Sequence, residues 1–313
     1  MKNYITIDSG TTNTKISIVS NRKIVDTRKI SSKTQQAAYK VALKDAIGEL
    51  LKKNAYTERD ILCVLVSGTM ATAEYGLYPM EHLVTPVNIE MLKKHACQIT
   101  LPEIADIPFV IIPGVKTACD SLENADMMRG EETEIMGLIN PGDPACMYML
   151  MGSHSKFVKT DDAGNIVDIC TMLTGELIEA VATGTILKHA TLFEESALDR
   201  EYLKKGYQYC REKSINEAFF KVRVLKNIFQ ETNSAAYSFF VGAALYADVE
   251  YVLKAQVRKV VIGGNAHLKE AAKILLEEYM NEQVICLSEE AVDSSVSMGL
   301  VKIFEHANGG SYE

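Results

Sequence analysis

One order of elements is written twice along this chain, and that repetition limits its folding options more than any single motif. Tyr4-Ile5-Thr6-Ile7, Lys15-Ile16-Ser17-Ile18-Val19 and Lys23-Ile24-Val25-Asp26-Thr27 are short β-rich segments separated by Gly or Asn turns. A helical stretch follows over 35–53, with Ala38, Val41, Ala42, Ala46 and Leu50 at helical spacing. Ile61-Leu62-Cys63-Val64-Leu65-Val66 and Pro108-Phe109-Val110-Ile111-Ile112 are continuous apolar runs of the kind a sheet covers on both faces, and 131–139 reads as a helix. The series then restarts. Met147-Tyr148-Met149-Leu150, Ser155-Lys156-Phe157-Val158 and Ile166-Val167-Asp168-Ile169 form three strands, the last two joined by the turn Asp161-Asp162-Ala163-Gly164-Asn165. A helix over 175–188, several more helices, the strand Lys259-Val260-Val261-Ile262, a helix over 268–280, a strand over 283–287 and a closing helix over 290–306 complete it, leaving 308–313 to fray. Such a duplication predicts a two-lobe α/β architecture with mixed sheets and a cleft between the lobes. The N-terminal lobe is expected at 1–140 and the C-terminal lobe at 141–313. The competing layout is one α/β domain with an appended helical region.

Composition narrows the function. In 313 residues, 47% apolar content fills substantial cores, and 33 Lys plus Arg against 41 Asp plus Glu leave a formal charge of -8. That balance argues against a binder of nucleic-acid polymer. Cysteines at 63, 97, 119, 146, 170, 210 and 286 include no Cys-x-x-Cys pair, which fits reduced thiols in a cytoplasmic protein and offers no zinc site. The N-terminus runs directly into a strand without a signal peptide. The uncharged stretch 232–247 is shorter than the roughly 18 apolar residues of a spanning helix, so a buried helix is expected and no membrane association. A homo-oligomer is compatible with all of this.

Three turns carry the candidate chemistry. Asp8-Ser9-Gly10-Thr11-Thr12-Asn13-Thr14-Lys15 crosses the turn between the first two strands. Gly10 lets a ligand approach the backbone, Thr11, Thr12, Asn13 and Lys15 can hold phosphate oxygens, and Asp8 at a strand end can orient Mg2+ directly or through water. Neither a G-x-x-x-x-G-K-[ST] loop nor a G-x-G-x-x-G fingerprint is present. Gly152-Ser153-His154-Ser155-Lys156 holds the equivalent position in the second half, so the two turns form a candidate pair around one set of phosphates, with His154 in a supporting contact. Gly263-Gly264-Asn265 follows a buried strand, where open α/β sheets bind ligands, and suits a base or ribose; a loop into a helix needing positive φ accounts for it as well.

Asp126-Met127-Met128-Arg129-Gly130-Glu131-Glu132-Thr133 is the densest charged cluster at a helix start. Helix-dipole capping alone can explain both glutamates. Arg129 opposes the dipole there and matches a carboxylate or a phosphoryl group. Thr174-Gly175-Glu176 opens a helix with Thr174 as its expected cap, or offers free amides to an anionic substrate; Ser67-Gly68-Thr69-Met70 at a strand end is a weaker site of that type. Tyr237, Phe239, Phe240, Tyr246 and Tyr251 read as packing of one long helix.

These residues resemble the actin, Hsp70 and hexokinase-like ATPase superfamily, whose fold is ribonuclease H-like. More closely, Met128-Arg129-Gly130-Glu131-Glu132-Thr133, Gly152-Ser153-His154-Ser155-Lys156-Phe157 and Met172-Leu173-Thr174-Gly175-Glu176-Leu177 resemble the 2-dehydro-3-deoxygalactonokinase family, with Ile112-Pro113-Gly114 preceding them. The resemblance runs to about residue 190 and implies ATP- and Mg2+-dependent phosphorylation of the C6 hydroxyl of a 2-keto-3-deoxy sugar acid. It implies a catalytic base among Glu131, Glu132 and, in reserve, Asp126; substrate contacts at Arg129, Thr174, Glu176 and Ser67; and ATP contacts at the three turns. The chain departs from the family at Ser9, where an aromatic residue is usual, at Thr14-Lys15, at Phe157 and at Asn265-Ala266-His267. Those changes bear on substrate identity more than on phosphate chemistry. Kinases of other small acids or sugars, pantothenate included, and a nucleotide-gated assembly protein share the Asp-x-Gly-x-Thr turn.

Overall fold

The computed structural model describes residues 2–33, 35–72, 77–118, 120–188 and 198–306. The first half contains β1 (Asn3–Ser9), β2 (Asn13–Ser20), β3 (Lys23–Ser31), α1 (Gln36–Lys53), β4 (Cys63–Gly68), β5 (Leu83–Val84), α2 (Ile89–Lys94), β6 (Cys97–Leu101), β7 (Ala105–Ile111), β8 (Val115–Lys116), β9 (Met127–Met128) and α3 (Glu131–Leu138). The second contains β10 (Cys146–Met151), β11 (Ser155–Thr160), β12 (Ile166–Met172), α4 (Thr174–Gly184), α5 (Arg200–Glu212), α6 (Ile215–Asn227), α7 (Asn233–Ala244), α8 (Tyr246–Lys254), β13 (Lys259–Gly264), α9 (Ala266–Tyr279), β14 (Gln283–Cys286) and α10 (Glu289–Glu305).

The duplication is visible in the strand order. One sheet runs β3-β2-β1-β4-β7-β6 and the other β12-β11-β10-β13-β14, so the second repeats the first except for the edge strand β6. In the first sheet β1, β4 and β7 are parallel, while β2 and β3 form the antiparallel meander. In the second, β10, β13 and β14 are parallel. A small third sheet, β5-β8-β9, was not legible in the sequence, because two-residue strands have no periodicity to read.

Both faces of β1 are covered, and every residue from Asn3 to Ile7 is buried. Ile5 and Ile7 join Ile16, Ile18, Val64, Val66 and Phe109 in a core closed by Leu43, Ile47 and Leu50 of α1. On the alternate positions the Thr6 and Ser297 hydroxyls lie 2.8 Å apart and the Tyr4 ring meets Phe304 edge-on at 5.7 Å, both partners lying on α10. The second core gathers Met147, Met149, Val260 and Ile262 with Tyr207, Phe240 and Leu275 from the surrounding helices. Each fully buried large side chain contributes roughly 1.5–3 kcal/mol.

Several expectations change at the tertiary level. The buried face of α1 is Tyr39, Leu43, Ala46, Ile47, Leu50 and Leu51, and Val41 is exposed. The larger side chains outweigh the alanines in choosing the face. The expected helix over 232–247 is two helices broken at Leu245, and α4 stops at Gly184 rather than running to 188. The six described cysteines carry free thiols, while Cys119 and residues 308–313 lie outside the described residues. No described helix is long and apolar enough to cross a membrane.

The chain forms two compact units: Met1–Asp143 with Thr160–Ile169 and Glu290–Glu313, and Pro144–Lys159 with Cys170–Glu289. The first break falls near the expected residue 140, but the closing helix, expected with the C-terminal lobe, packs in the first unit. Two contacts explain this. α3 and α10 cross at glycines, where a Cβ on Gly137 would lie 2.2 Å from the Ser295 carbonyl and one on Gly299 would lie 1.8 Å from the Thr133 carbonyl. The β11–β12 connection is tied to the same unit by the Val87–Ile166 bridge, whose N–H groups donate at 2.9 and 2.7 Å.

Candidate functional site

Within the first unit, β1 and β2 pair without slippage from Asn3↔Ser20 to Ser9↔Thr14, leaving Gly10, Thr11, Thr12 and Asn13 to make the turn. The Gly10 N–H donates to the Asn13 carbonyl at 3.0 Å, and Thr11, Thr12 and Asn13 are exposed. Asp8 faces Lys15 across the hairpin and Ser67 across the parallel pair. Burial raises the Asp8 carboxyl to about 6, with Lys15 opposing and Glu131 reinforcing the shift. The Lys15 ammonium is anchored elsewhere: it donates to the Asp293 backbone oxygen at 2.6 Å and to Asp293 Oδ1 at 3.0 Å. Its charge acts at the hairpin while its donors hold α10.

β4 ends beside this turn on Gly68, at φ +90°, where a Cβ would lie 2.2 Å from the Ser9 carbonyl. Only glycine permits both that φ and that approach. Gly130, at φ +118°, precedes α3 and brings its own Cβ direction 3.5 Å from the Gly68 Cα, so the Glu131 region is packed onto the strand end next to Asp8.

The adjacent glutamates then separate. Glu132 is fully buried: the Gly130 N–H donates to both its carboxylate oxygens at 2.9 and 2.8 Å, and the Ser67 hydroxyl donates at 3.2 Å. Burial, with the Glu131 charge next, raises its carboxyl to about 8. Glu131 is partly exposed, and its carboxylate accepts the Arg129 N–H at 3.1 Å. Glu134, one turn further on, is raised to about 8 by burial and then by Asp8 and Glu131, opposed by a Ser295 hydrogen bond. No sequence argument had singled it out. Asp126 is tied to a different element: its oxygen accepts the Met127 N–H at 2.6 Å and its own N–H donates to the Thr117 hydroxyl at 2.8 Å.

Arg129 is partly buried, and burial lowers its pKa against the pull of Glu132. Nη2 donates to the Met80 carbonyl at 2.8 Å and lies 3.2 Å from His82 Nδ1, while buried Nη1 has no hydrogen-bond partner among the described residues. Ser67, by contrast, is fully buried and spent on Glu132 and on the Thr133 hydroxyl at 2.9 Å.

The second unit repeats the arrangement. β13 ends on Gly264, at φ +91°, with a Cβ position 2.0 Å from the Met151 carbonyl. Gly263 pairs with Leu150 inside the sheet; the Asn265 N–H donates to that Met151 oxygen at 2.7 Å, and the Asn265 side chain caps α9 through the His267 and Leu268 N–H groups. The junction is thus a helix-entry loop that needs the positive φ of Gly264. The Gly152-Ser153 turn lies under the start of α4: a Cβ on Gly175 would lie 2.1 Å from the Gly152 carbonyl, and the Glu176 N–H donates to the Ser153 carbonyl at 2.9 Å. Leu173, not Thr174, is the N-cap of α4. The buried Thr174 hydroxyl instead donates to both carboxylate oxygens of Asp248, at 2.7 and 2.9 Å. Burial raises Asp248 to about 6, the Thr174 hydrogen bond opposing. Asp248 lies 74 residues away in sequence and carried no local signal. His154 Nε2 and Glu176 Oε1 form a partly exposed pair at 3.2 Å.

A duplicated α/β fold with a polar turn after the first strand of each copy, and a positive-φ glycine closing the strand beside it, is an actin-like architecture. The sequence model of the family described as 2-keto-3-deoxy-galactonokinase matches residues 8–303, and the chain belongs to that family. A curated relative from Rhizobium meliloti (strain 1021), "Probable 2-dehydro-3-deoxygalactonokinase", is 29% identical over 189 residues, 60% of this chain and 58% of its own length. A 2-dehydro-3-deoxygalactonokinase of Escherichia coli (strain K12) is 33% identical over 89 residues, 28% of this chain and 29% of its own. The chain thus spans under two thirds of the length of the curated relatives it matches. A crystal structure from Sinorhizobium meliloti, of a candidate 2-dehydro-3-deoxygalactonokinase, superposes with a TM-score of 0.77 at 22% identity, covering 99% of this chain and 100% of that one, and shares the fold.

Proposed function

We propose that this protein transfers the γ-phosphoryl group of ATP to the C6 hydroxyl of 2-dehydro-3-deoxy-D-galactonate, giving the 6-phosphate and ADP. The observation that carries the reading is the half-buried Asp8 beside the open Gly10 turn, with partly exposed Glu131 packed next to it, in a chain of this family. In the first unit the Gly10-Thr11-Thr12-Asn13 turn is the phosphate contact of this reading; in the second, Gly152-Ser153 is its counterpart and Gly263-Gly264-Asn265 the adenosine contact.

A single carboxylate at Asp8 fits Mg2+, which keeps most of its ligands as water and phosphate oxygens and needs no all-protein cage. Among the described residues no three His, Cys, Asp or Glu side chains gather into such a cage. Bound there, the ion supplies neutralisation of phosphate charge.

Of the expected carboxylates Glu131 is the base, because Glu132 is enclosed and hydrogen-bonded and Asp126 serves another loop. Glu131 accepts the C6 hydroxyl proton as the new O–P bond forms and the bond from Pγ to the β,γ-bridging oxygen breaks. Arg129, held by Met80 and His82, faces the charge that develops on the transferred group. Holding acceptor and donor in line supplies most of the acceleration. We place the enzyme in the cytoplasm, acting on small molecules without a nucleic-acid or membrane partner.

An ADP-release assay across 2-dehydro-3-deoxygalactonate, its 2-dehydro-3-deoxygluconate epimer, hexoses and pantothenate tests the reading. Turnover is expected with the first acid; turnover only with pantothenate or a hexose, or ATP binding with no acceptor at all, rejects it.

A further inference from the structure

Three side chains expected to read the sugar are engaged elsewhere: Ser67 with Glu132, Thr174 with Asp248 and Glu176 with His154. The first unit nevertheless contains a cavity of about 550 Å3 against the Gly10-Thr11 turn. Its remaining walls among the described residues are Ser32, Lys33 and Gln35 on the approach to α1, Tyr39 on α1, and Thr69 after β4. None of Ser32, Lys33, Gln35 and Tyr39 drew attention in the sequence.

The cavity has a fixed floor. The buried Tyr39 hydroxyl lies 2.6 Å from the Thr14 hydroxyl and 3.2 Å from that of Ser9; Ser9 Oγ is 2.8 Å from Thr69 Oγ1, and Thr14 Oγ1 is 2.9 Å from Ser32 Oγ. Five hydroxyls in series thus tie the cavity wall to the residues flanking the turn, starting one position after Asp8. Satisfied networks of this kind hold side chains in single rotamers. Tyr39 itself is buried, packed with the core beneath the cavity, while Lys33 and Gln35 are exposed at the rim.

We infer that this cavity is the sugar-acid subsite, with Lys33 reading the carboxylate and Gln35 and Ser32 the adjoining oxygens. The inference rests on the kinase reading above and specifies where its acceptor binds. Among the described residues the walls carry one cation and no carboxylate, which suits an anionic ligand. A 2-keto-3-deoxy acid has its charge at one end, an apolar methylene at C3 and the reacting hydroxyl at the other end. With the carboxylate on Lys33, the C6 end points to Gly10 and Thr11, which the cavity shares with the phosphate turn. Thr69 follows Gly68, on which Gly130, the residue before Glu131, is packed.

Full-length wild type, Lys33→Met, Lys33→Arg and Gln35→Ala are compared in steady-state kinetics with 2-dehydro-3-deoxygalactonate and ATP. Lys33→Met is expected to raise KM for the acid 10- to 100-fold, with KM for ATP within about twofold, and Lys33→Arg to recover at least part of the loss. Gln35→Ala is expected to raise the same KM by roughly 3- to 10-fold. Unchanged acid KM in Lys33→Met and Gln35→Ala, or a loss confined to KM for ATP, overturns the subsite while leaving the kinase standing. Should wild type not turn over this acid, calorimetric titration of wild type and Lys33→Met with it and with galactonate decides separately. Binding weakened by Lys33→Met keeps the subsite and rejects the kinase reading, and equal or absent binding rejects both.

Discussion

Gly68 and Gly264 hold one position in two copies of the same structure: each ends a parallel strand near φ +90°, with the neighbouring strand's carbonyl where a Cβ would be. The partners are Ser9 and Met151, the residues just before the two turn glycines. The strand end and the polar turn are therefore built as a unit in both halves. Alanine at Gly264 brings a left-handed φ and a backbone clash together, costing roughly 2–5 kcal/mol. Calorimetry should show a large fall in Tm. Gly48→Ala, in α1 with nothing within 4 Å of its Cβ, is the control and should raise stability by about 0.5–1 kcal/mol.

The two neighbouring glutamates should behave differently. Glu131→Gln is expected to lower kcat by about 10²- to 10⁴-fold while ATP binding stays within a few-fold. Glu132→Gln, at a side chain enclosed by Gly130 and Ser67, should retain most of kcat in a folded protein. The reverse pattern in single-turnover measurements would move the base to Glu132.

The same Glu132 gives a pH signature. Burial holds it protonated up to about 8 in the folded chain, against 4.5 for an ordinary glutamate in the unfolded one. Across that interval the unfolded state releases its proton first, so wild-type stability declines as pH rises from about 4.5 to about 8 and levels off above it. Gln cannot ionise. The Tm of Glu132→Gln relative to wild type should therefore climb through this window and be flat on either side.

Asp8→Asn should lower kcat by about 10²- to 10³-fold and shift the Mg2+ activation curve to higher concentration, with the circular dichroism spectrum unchanged. A normal rate with normal Mg2+ dependence would remove the metal assignment.

Asp248→Ala leaves the Thr174 hydroxyl buried without its acceptor, at a cost of about 1–3 kcal/mol. Because α4 begins against the Gly152-Ser153 turn, KM for ATP should rise more than KM for the sugar acid. Asp248→Asn keeps one acceptor oxygen and should restore most of both.

How much of this was readable before folding depends on how far apart the interacting residues lie. The Gly10 turn, the strand Cys63–Gly68 and the Gly264-Asn265 junction each announce themselves over fewer than ten residues, through periodicity and glycine placement. Tyr39 was passed over because the alanines of α1 have the right spacing too, and only the sheet beneath α1 chooses between the two faces. Thr174 was read as a cap because Thr at a helix start usually is one; a carboxylate 74 residues downstream claims its hydroxyl.

The amino-acid order alone determined the doubled α/β plan, the two polar turns and the family, because backbone propensity and hydrophobic period act between neighbours in the chain. Tertiary structure decided which of Glu131 and Glu132 is reachable, what Lys15 and Ser67 are bonded to, and that α10 completes the first unit rather than the second. Those outcomes follow from burial and hydrogen-bond partnership, which are set by residues brought together from distant parts of the chain.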